Sequence, residues 1–142
     1  MGTMSTQEWR AFLLTGSRTA KVATIASDGR PTVVPVWFDL DGDELVFETD
    51  GDSAKARHLH RNPNVAICVD DERFPFAFVS IRGRAKVERL TPSELLPWTT
   101  RISRRYVGDD RAEEYGHRNA VEGGVLVRLT LDHVLAVNNI AT

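Results

Sequence analysis

Hydrophobic and polar residues alternate with a period of two along much of the chain, which is typical of β-strands with one buried face. Asp-Gly pairs at residues 28–29 and 41–42 predict hairpin turns between successive runs. The pattern predicts six strands: Thr19–Ile25, Thr32–Leu40, Glu44–Thr49, Val65–Val69, Phe76–Val87 and Val125–Val137.

Three residues interrupt these predicted strands. Pro35 has no N–H to donate to a neighbouring strand, which favours a sheet edge, a bulge or a place where a ligand approaches the backbone. Gly83 interrupts the fifth strand and His133 breaks the alternation of the sixth, and each predicts a β-bulge.

Capping and stop signals predict four helices, which lie after Ser5, over Ala54–Arg61, after Thr91 and around Asp110–Asn119. Ser5 and Glu8 have the spacing of a capping box, and Ser53 or Asp52 caps the second helix. Pro97 predicts that the third helix is kinked or begins at that residue.

Strands joined mostly by hairpins, with helices inserted late, predict an α+β fold that is mainly β. We expect a six-stranded antiparallel β-barrel with short flanking helices. No linker, repeat or low-complexity tract divides the sequence, so residues 1–142 are expected to form a single domain.

Composition and charge exclude several classes of protein. A formal net charge of -2 gives no basic field for nucleic acid, and no apolar run approaches the roughly 18 residues of a membrane span. The first ten residues lack the apolar core of a signal peptide, so a cytoplasmic protein is expected. The single cysteine, Cys68, excludes an internal disulfide and is expected to be a buried packing residue.

The sequence lacks the short motifs of several enzyme classes. It has no glycine-rich dinucleotide motif, phosphate-binding loop of nucleotide triphosphatases, nucleophile elbow or zinc-protease helix motif. His58 and His60 lie two apart on a predicted helix and point in different directions, so they do not share a metal. No metal site is expected, and no pair of carboxylates suggests an acid and a base.

The segment from residue 49 to residue 61 is the strongest candidate for a binding site. A glycine-containing turn leads into a helix whose first turns carry Ser53, Lys55 and His58. Free backbone N–H groups, the positive end of the helix, a hydroxyl and an ammonium would meet at one point, which favours a bound phosphate. The alternative is a capped surface helix with a solvated basic face.

Two further groups of side chains allow either a ligand site or a structural role. The first is a basic group at helical spacing, for which a solvated helix face is the preferred interpretation: Arg101, Arg104 and Arg105. The second is an aromatic group, for which the core or a subunit interface is preferred over a site for a flat ligand: Trp37, Phe74, Phe76 and Phe78.

Three motifs follow one another in a characteristic order. They are the turn Ser27-Asp28-Gly29-Arg30-Pro31, the stretch Ser53-Ala54-Lys55-Ala56-Arg57-His58-Leu59 with Arg61-Asn62-Pro63, and Gly83 with Ala85. In this order, over about residues 5–137, the chain resembles the pyridoxamine 5′-phosphate oxidase-like, FMN-binding split β-barrel family. The resemblance implies a six-stranded split barrel that forms a homodimer with two cofactor sites at its interface.

Within that family the short chain, the turn and the Ala54–Arg57 helix start are similar to the branch that uses the deazaflavin coenzyme F420. The oxidases that make pyridoxal phosphate have a C-terminal arginine-bearing segment, which the residues after Val137 do not match, so that activity is not expected. The resemblance implies that the cofactor phosphate lies on Ser53 and Lys55 and that a neighbouring subunit offers Phe76. The cofactor-binding residues that it implies are Thr32, Val34, Pro35, Val36, Thr49, Ser53, Lys55, His58 and Phe76.

The implied function is an oxidoreductase that transfers a hydride between coenzyme F420 and a small electron-poor organic substrate, with no side chain assigned a catalytic role. The protein would mainly position ring and substrate and exclude water. Backbone N–H groups near Pro35 and Val36 would polarise the ring carbonyls. Two alternatives stay open: an FMN-binding oxidoreductase of the same fold, and a non-catalytic dimer that binds a flavin or deazaflavin.

Overall fold

The computed structural model describes residues 1–142 and contains four helices and nine strands. The helices are α1 Thr6–Leu14, α2 Ala54–Arg61, α3 Pro92–Val107 and α4 Asp109–Asn119. The strands are β1 Gly2–Thr3, β2 Ala20–Ile25, β3 Pro31–Val36, β4 Asp39–Asp41, β5 Glu44–Asp50, β6 Asn64–Asp71, β7 Ala77–Arg89, β8 Gly124–Thr130 and β9 His133–Asn138. No helix is both long enough and apolar enough to cross a membrane.

All strand pairs are antiparallel, and the sheet curves into a split barrel in the order β3-β2-β6-β7-β8-β5-β4, with β9 beside β7 and β1 beside β9. The long strand β7 joins the two halves, because its first part pairs with β6 and β9 and its last five residues pair with β8. Gly83 lies where β7 changes partners, and its register with β6 is continuous, so the predicted bulge is wrong. A Cβ at this position would clash with the carbonyl oxygen of Thr130, which explains the glycine.

Two predicted strands are divided in the structure, and the short β1 completes the count of nine. The predicted Thr32–Leu40 strand leaves β2 after Val36 and pairs with β5 from Asp39 onward. The predicted last strand pairs with β5 and the end of β7 as β8, and then with the start of β7 as β9. His133 begins β9, but β7 remains the partner strand on both sides of it, and residues 130–132 lie opposite only residues 83 and 84 of β7. The last predicted strand therefore carries one extra residue just before His133, which confirms the predicted bulge.

Side-chain caps fix the starts of three helices. The predicted capping box of Ser5 and Glu8 is confirmed, and Thr91 forms a second box at the start of α3. Ser53 caps α2. The expectation that α3 begins at Pro97 is wrong, since the helix begins at Pro92 and continues past Pro97. Buried residues before and after Pro97 hold the helix against the barrel.

Two hydrophobic cores lie on opposite faces of β5. The main core fills the barrel and includes Phe47 and, from α2, Leu59. A smaller core contains Val46, Leu95 and Ile102 and joins α3 to the outer face of the sheet. Adjacent residues of β5 therefore face different environments, as the alternation of a strand requires.

Several residues are less buried than predicted. Cys68 lies on β6 and is only half-buried, because its side chain is on the outer face of the barrel. Phe74 and Phe76 are 72% and 39% exposed, which excludes them from the core of this chain. Trp37 is partly buried and stacks on Tyr106, with 4.9 Å between ring centroids.

Of the three arginines of α3 that were predicted to face solvent, Arg104 is exposed, but Arg101 and Arg105 are packed against the barrel. Arg101 forms an ion pair with Asp39, with Nε 2.9 Å from Oδ2, and also donates to the carbonyl oxygen of Leu40. Arg105 donates to the carbonyl oxygen of Phe38. Because Phe38 lies between two strands, its carbonyl oxygen lacks the usual sheet partner, and Arg105 supplies a donor for it.

Tyr106 completes this contact between α3 and the barrel. Its hydroxyl accepts a hydrogen bond from the N–H of Phe38 at 3.1 Å and donates to the carbonyl oxygen of Arg18 at 2.9 Å. Arg105 also donates to the carbonyl oxygen of Leu13, 3.0 Å away, so α1 is joined to the same point. We call this set of contacts made by Arg101, Arg105 and Tyr106 the α3 clamp.

We expect Arg105→Met to lower the free energy of unfolding by about 2–4 kcal/mol, because two partly buried carbonyl oxygens lose a charged donor. The matched control is Arg104→Met, since Arg104 is exposed and pairs only with Asp109. Loss of the Arg104–Asp109 ion pair is expected to lower the free energy of unfolding by less than about 1 kcal/mol. Urea unfolding followed by circular dichroism measures both, and equal midpoints for the two variants would contradict the clamp.

Candidate functional site

The loop that enters α2 is tightly built. The N–H of Gly51 donates to the carbonyl oxygen of Gly123 at 3.0 Å, and a Cβ on Gly51 would lie 2.7 Å from that oxygen. The hydroxyl of Ser53 accepts from the N–H of Ala56 and from the hydroxyl of Thr49, each at 3.2 Å. Thr49 and Ser53, two of the predicted site residues, thus meet at the start of the helix.

The start of α2 also carries positive charge that no acidic residue of the helix itself compensates. No acidic side chain lies in its first turn, so the positive end of the helix and its free N–H groups have no negative partner there. Lys55 adds an ammonium that is half-buried and makes no ion pair or hydrogen bond within the protein. This arrangement can bind an anion.

A buried hydroxyl joins two more of the predicted residues. Oγ1 of Thr24 lies 3.0 Å from Oγ1 of Thr32 and 2.9 Å from Nδ1 of His58. Thr24 is 1% exposed, so its hydroxyl is shielded from water, whereas Thr32 lies on the exposed strand β3. The short chain of hydrogen bonds ties β3 to α2 and fixes the imidazole of His58.

Strand β3 is an exposed edge of the sheet. It pairs with β2 alone, and its other backbone edge has no partner within the chain. Five of its six residues are exposed, among them the apolar Val33 and Val34 and also Pro35. An apolar strand edge left open in this way is available to a ligand or to a second subunit.

A cavity of about 380 Å³ lies between the barrel and the α3–α4 pair, and we call it the Lys55 cavity. Its barrel wall consists of Pro35, Val36, Trp37, Glu48 and Lys55. Its helix wall consists of Thr99, Ile102, Ser103, Tyr115, Arg118 and Asn119. Of the predicted residues, the cavity brings together Pro35, Val36 and Lys55. Five others lie outside its walls, on β3, at the end of β5 and around α2: Thr32, Val34, Thr49, Ser53 and His58.

The sequence did not predict the residues of the helix wall or Glu48, which is the only acidic residue that lines the cavity. Burial raises the pKa of its carboxyl to about 7, although the nearby Lys55 ammonium opposes part of the rise. Burial likewise lowers the pKa of Lys55, and Glu48 opposes that change. The signal in the sequence was a charged residue placed directly after the buried run Leu45–Phe47, on the same strand face as Val46.

The helix wall contains a buried hydroxyl without a partner. Ser103 is 1% exposed and its Oγ makes no hydrogen bond, whereas neighbouring Thr99 donates to the carbonyl oxygen of Gly116 at 2.7 Å. Unpartnered buried hydroxyls are uncommon in folded proteins, so this one suits a polar group of a ligand. Trp37 and Tyr115, with ring centroids 6.1 Å apart, add aromatic surface. The cavity therefore suits a flat ligand with polar substituents.

Phe76 is not brought to this cavity. It lines a separate depression with Phe74, and the two rings meet edge to face with centroids 6.0 Å apart. Its φ of 67° is unfavourable for an aromatic residue, and a hydrogen bond from the N–H of Ile140 to its carbonyl oxygen helps to hold it there. Its contribution to the site of a neighbouring subunit stays a prediction.

The structure contains no group of three or more His, Cys, Asp or Glu side chains arranged to hold a metal ion.

Comparisons with known proteins agree with this fold. A family model described as pyridoxamine 5′-phosphate oxidase matches residues 5–138. General stress protein 26 of Bacillus subtilis (strain 168) is 30% identical over 94 residues, covering 63% of this chain and 67% of the relative. The crystal structure of a conserved hypothetical protein from Mycobacterium tuberculosis superimposes with a TM-score of 0.81 at 27% identity, covering 96% of this chain and 86% of the other. An F420 reductase superimposes with a TM-score of 0.68 at 24% identity, covering 87% of this chain and 93% of the reductase.

We expect Glu48→Gln to change how stability depends on pH. Between about pH 4.5 and 7 the folded protein holds a proton on Glu48 that the unfolded chain has released, so this carboxyl makes folding progressively less favourable as pH rises. Relative to wild type, the variant should gain about 1–3 kcal/mol of unfolding free energy between about pH 5 and pH 8, the lower values reflecting partial solvent exposure.

Urea unfolding at a series of pH values tests this expectation. Glu113→Gln is the matched control, because Glu113 is exposed on α4 and forms no ion pair. If the two variants show the same pH profile, Glu48 does not have the raised pKa.

Proposed function

The chain belongs to the pyridoxamine 5′-phosphate oxidase family, and we propose that it is an oxidoreductase that transfers a hydride between the deazaflavin coenzyme F420 and a small electron-poor organic substrate. The proposal rests on Lys55, whose ammonium lines a cavity without an ionic partner, beside Pro35 and Val36 at the end of an open strand edge. The likeness of fold to an F420 reductase supports the choice of cofactor.

The residues around the Lys55 cavity fit a flat cofactor that bears a phosphate. Lys55, the start of α2 and the hydroxyls of Ser53 and Thr49 would hold the phosphate, since no acidic side chain lies in the first turn of the helix. The open backbone edge of β3 from Thr32 through Val36 would hold the ring by hydrogen bonds. When bound, the cofactor supplies the hydride chemistry, and the protein supplies position and exclusion of water.

Glu48 makes this binding dependent on protonation. Below about pH 7 its carboxyl holds a proton, so no negative charge in the cavity opposes a phosphate on Lys55. The same protonated oxygen can donate a hydrogen bond to a polar group of a substrate and is a place from which a proton can move. Above that pH its carboxylate repels an anion and weakens binding.

The same features fit FMN, which also combines a flat ring with a phosphate. The second candidate is therefore an FMN-binding oxidoreductase of this fold. A third is a non-catalytic dimer that binds a flavin or deazaflavin. Side-by-side fluorescence titration of cofactor-free protein with coenzyme F420 and with FMN separates the two cofactors. Oxidation of the reduced cofactor by an added acceptor separates an enzyme from a carrier.

We expect Lys55→Ala to weaken cofactor binding by about tenfold or more, because a charge-assisted contact to phosphate is lost. The matched control is Lys86→Ala, since Lys86 is exposed on β7 and does not line the cavity. Its dissociation constant should stay within about twofold of wild type. Unchanged binding by Lys55→Ala would remove the central element of the proposed function.

We further expect two cofactor sites per homodimer, each completed by Phe76 of the other subunit. In a dimer of one variant alone, Phe76→Ala or Lys55→Ala damages both sites. In a mixed dimer, both substitutions lie in the same site, so the other site keeps its Lys55 and its Phe76 and is intact. Unfolding and refolding an equimolar mixture should therefore restore about a quarter of the wild-type binding sites. No recovery, in a mixture that sedimentation shows to be dimeric, would place Phe76 outside the partner's site.

A further inference from the structure

A second cavity lies on the opposite side of α2 from Lys55, and we call it the arginine cavity. It has a volume of about 350 Å³ and is enclosed by α2, the end of β7 and the start of β8. Its basic residues are Arg57, His60, Arg61 and Arg89, and its apolar floor is Ala56, Val87 and Val125. Nothing in the proposed oxidoreductase function uses these residues.

The positive charge of the arginine cavity is not neutralised within the chain. None of its four basic side chains forms an ion pair, and no acidic residue lines its walls. Eight other arginines of the chain do form ion pairs with aspartate or glutamate. The neighbouring acids Asp50 and Asp52 flank the entry to α2, but Asp50 accepts the N–H of Asp52 and neither lines the cavity.

Two separate elements bring these charges together. Arg57 and Arg61 are four residues apart and share one face of α2, with His60 beside them. Arg89 comes from β7, and its Nη2 would lie 3.8 Å from a Cβ placed on Gly51, so it sits beside the loop that leads into α2. Like charges gathered in this way repel one another, and a bound anion would relieve that repulsion.

The charge and shape of the cavity indicate the class of anion. Three guanidinium groups carry three positive charges at neutral pH, which matches the charge of about −3 on a diphosphate group better than the single or double charge of one phosphate. The planar donor pairs of guanidinium suit phosphate oxygens. The apolar floor leaves room beside the charged rim for an organic substituent.

We propose that the arginine cavity is a second ligand site, which binds a small molecule carrying a diphosphate group. The site is distinct from the Lys55 cavity and does not depend on the proposed oxidoreductase function. Free pyrophosphate and a nucleoside diphosphate share the chemistry that the cavity recognises.

Isothermal titration calorimetry with inorganic pyrophosphate and with ADP, on cofactor-free protein at constant ionic strength, tests the proposal. The Lys55→Ala protein is used as the background, so that binding in the Lys55 cavity does not contribute. In that background, pyrophosphate should bind at one site per chain, and Arg57→Gln combined with Arg89→Gln should weaken it by about tenfold or more. Arg82→Gln is the matched control, because Arg82 is exposed on the same strand, lies outside the cavity and should leave binding within about twofold of its background.

The outcomes separate the sources of the ligand and the ways in which the proposal fails. Tighter binding of ADP than of pyrophosphate would support a nucleotide-type ligand on the apolar floor, and equal binding would support the diphosphate group alone. Absence of pyrophosphate binding in the Lys55→Ala background would overturn the proposal, as would binding that survives the double substitution. If the starting protein sediments as a dimer and the double variant does not, the arginines pair with a second copy of the chain, which also overturns the proposal.

Discussion

The α3 clamp is the contact on which the arrangement of this molecule depends. The segment between β3 and β4 has no strand partner, and Arg105 and Tyr106 satisfy its backbone groups from the side of the helix. Because α3 is fixed at this point, the α3–α4 pair lies over the outer face of β5 and closes the Lys55 cavity. Without the clamp, Glu48 on β5 and Lys55 on α2 would be open to solvent, which would largely erase the shifts in their pKa values.

Strand β5 converts this packing into chemistry. Phe47 points into the barrel core and Val46 into the smaller core under α3, while Glu48 is directed by the same alternation to the edge of that smaller core. A carboxyl at the boundary between an apolar core and a cavity loses part of its hydration, which raises its pKa, so that below about pH 7 it retains a proton and is neutral beside Lys55. Below that pH the cavity combines an ammonium with a neutral acid, which is favourable for an anionic ligand.

Much of the fold could be predicted from local patterns, because caps, turns and alternation depend on neighbouring residues. The capping box at Ser5, the bounds of α2 and the edge position of Pro35 all follow from such patterns and are found in the structure. The division of the predicted Thr32–Leu40 strand could not be predicted, since the alternation continues through Trp37 and Phe38 while the partner strand changes from β2 to β5. That change of partner is a property of the whole sheet.

For the candidate site, too, local motifs could be read from the sequence, but contacts between distant elements could not. Lys55 and Ser53 stand in a helix-start motif, whereas Glu48 acquires its role only because α3 covers β5. The arginines of α3 were assigned to solvent because helical spacing shows which residues share a face but not what lies opposite. Asp39 and the unpaired carbonyl oxygens that they contact are more than sixty residues away in the chain.

Helix α2 is where the charge distribution and the fold constrain each other. It has eight residues, five of them basic or histidine and none acidic, and Arg57 repels Arg61 at four-residue spacing. Buried Ala56 and Leu59 and the bond from His58 to Thr24 hold it on the barrel against this repulsion. Basic residues in its last turn are favoured by the helix dipole, but Lys55 in the first turn is opposed by it. An anion at the start of α2 would offset the repulsion between Lys55 and the positive end of the helix. A phosphate bound in the Lys55 cavity would therefore stabilise the same helix that binds it.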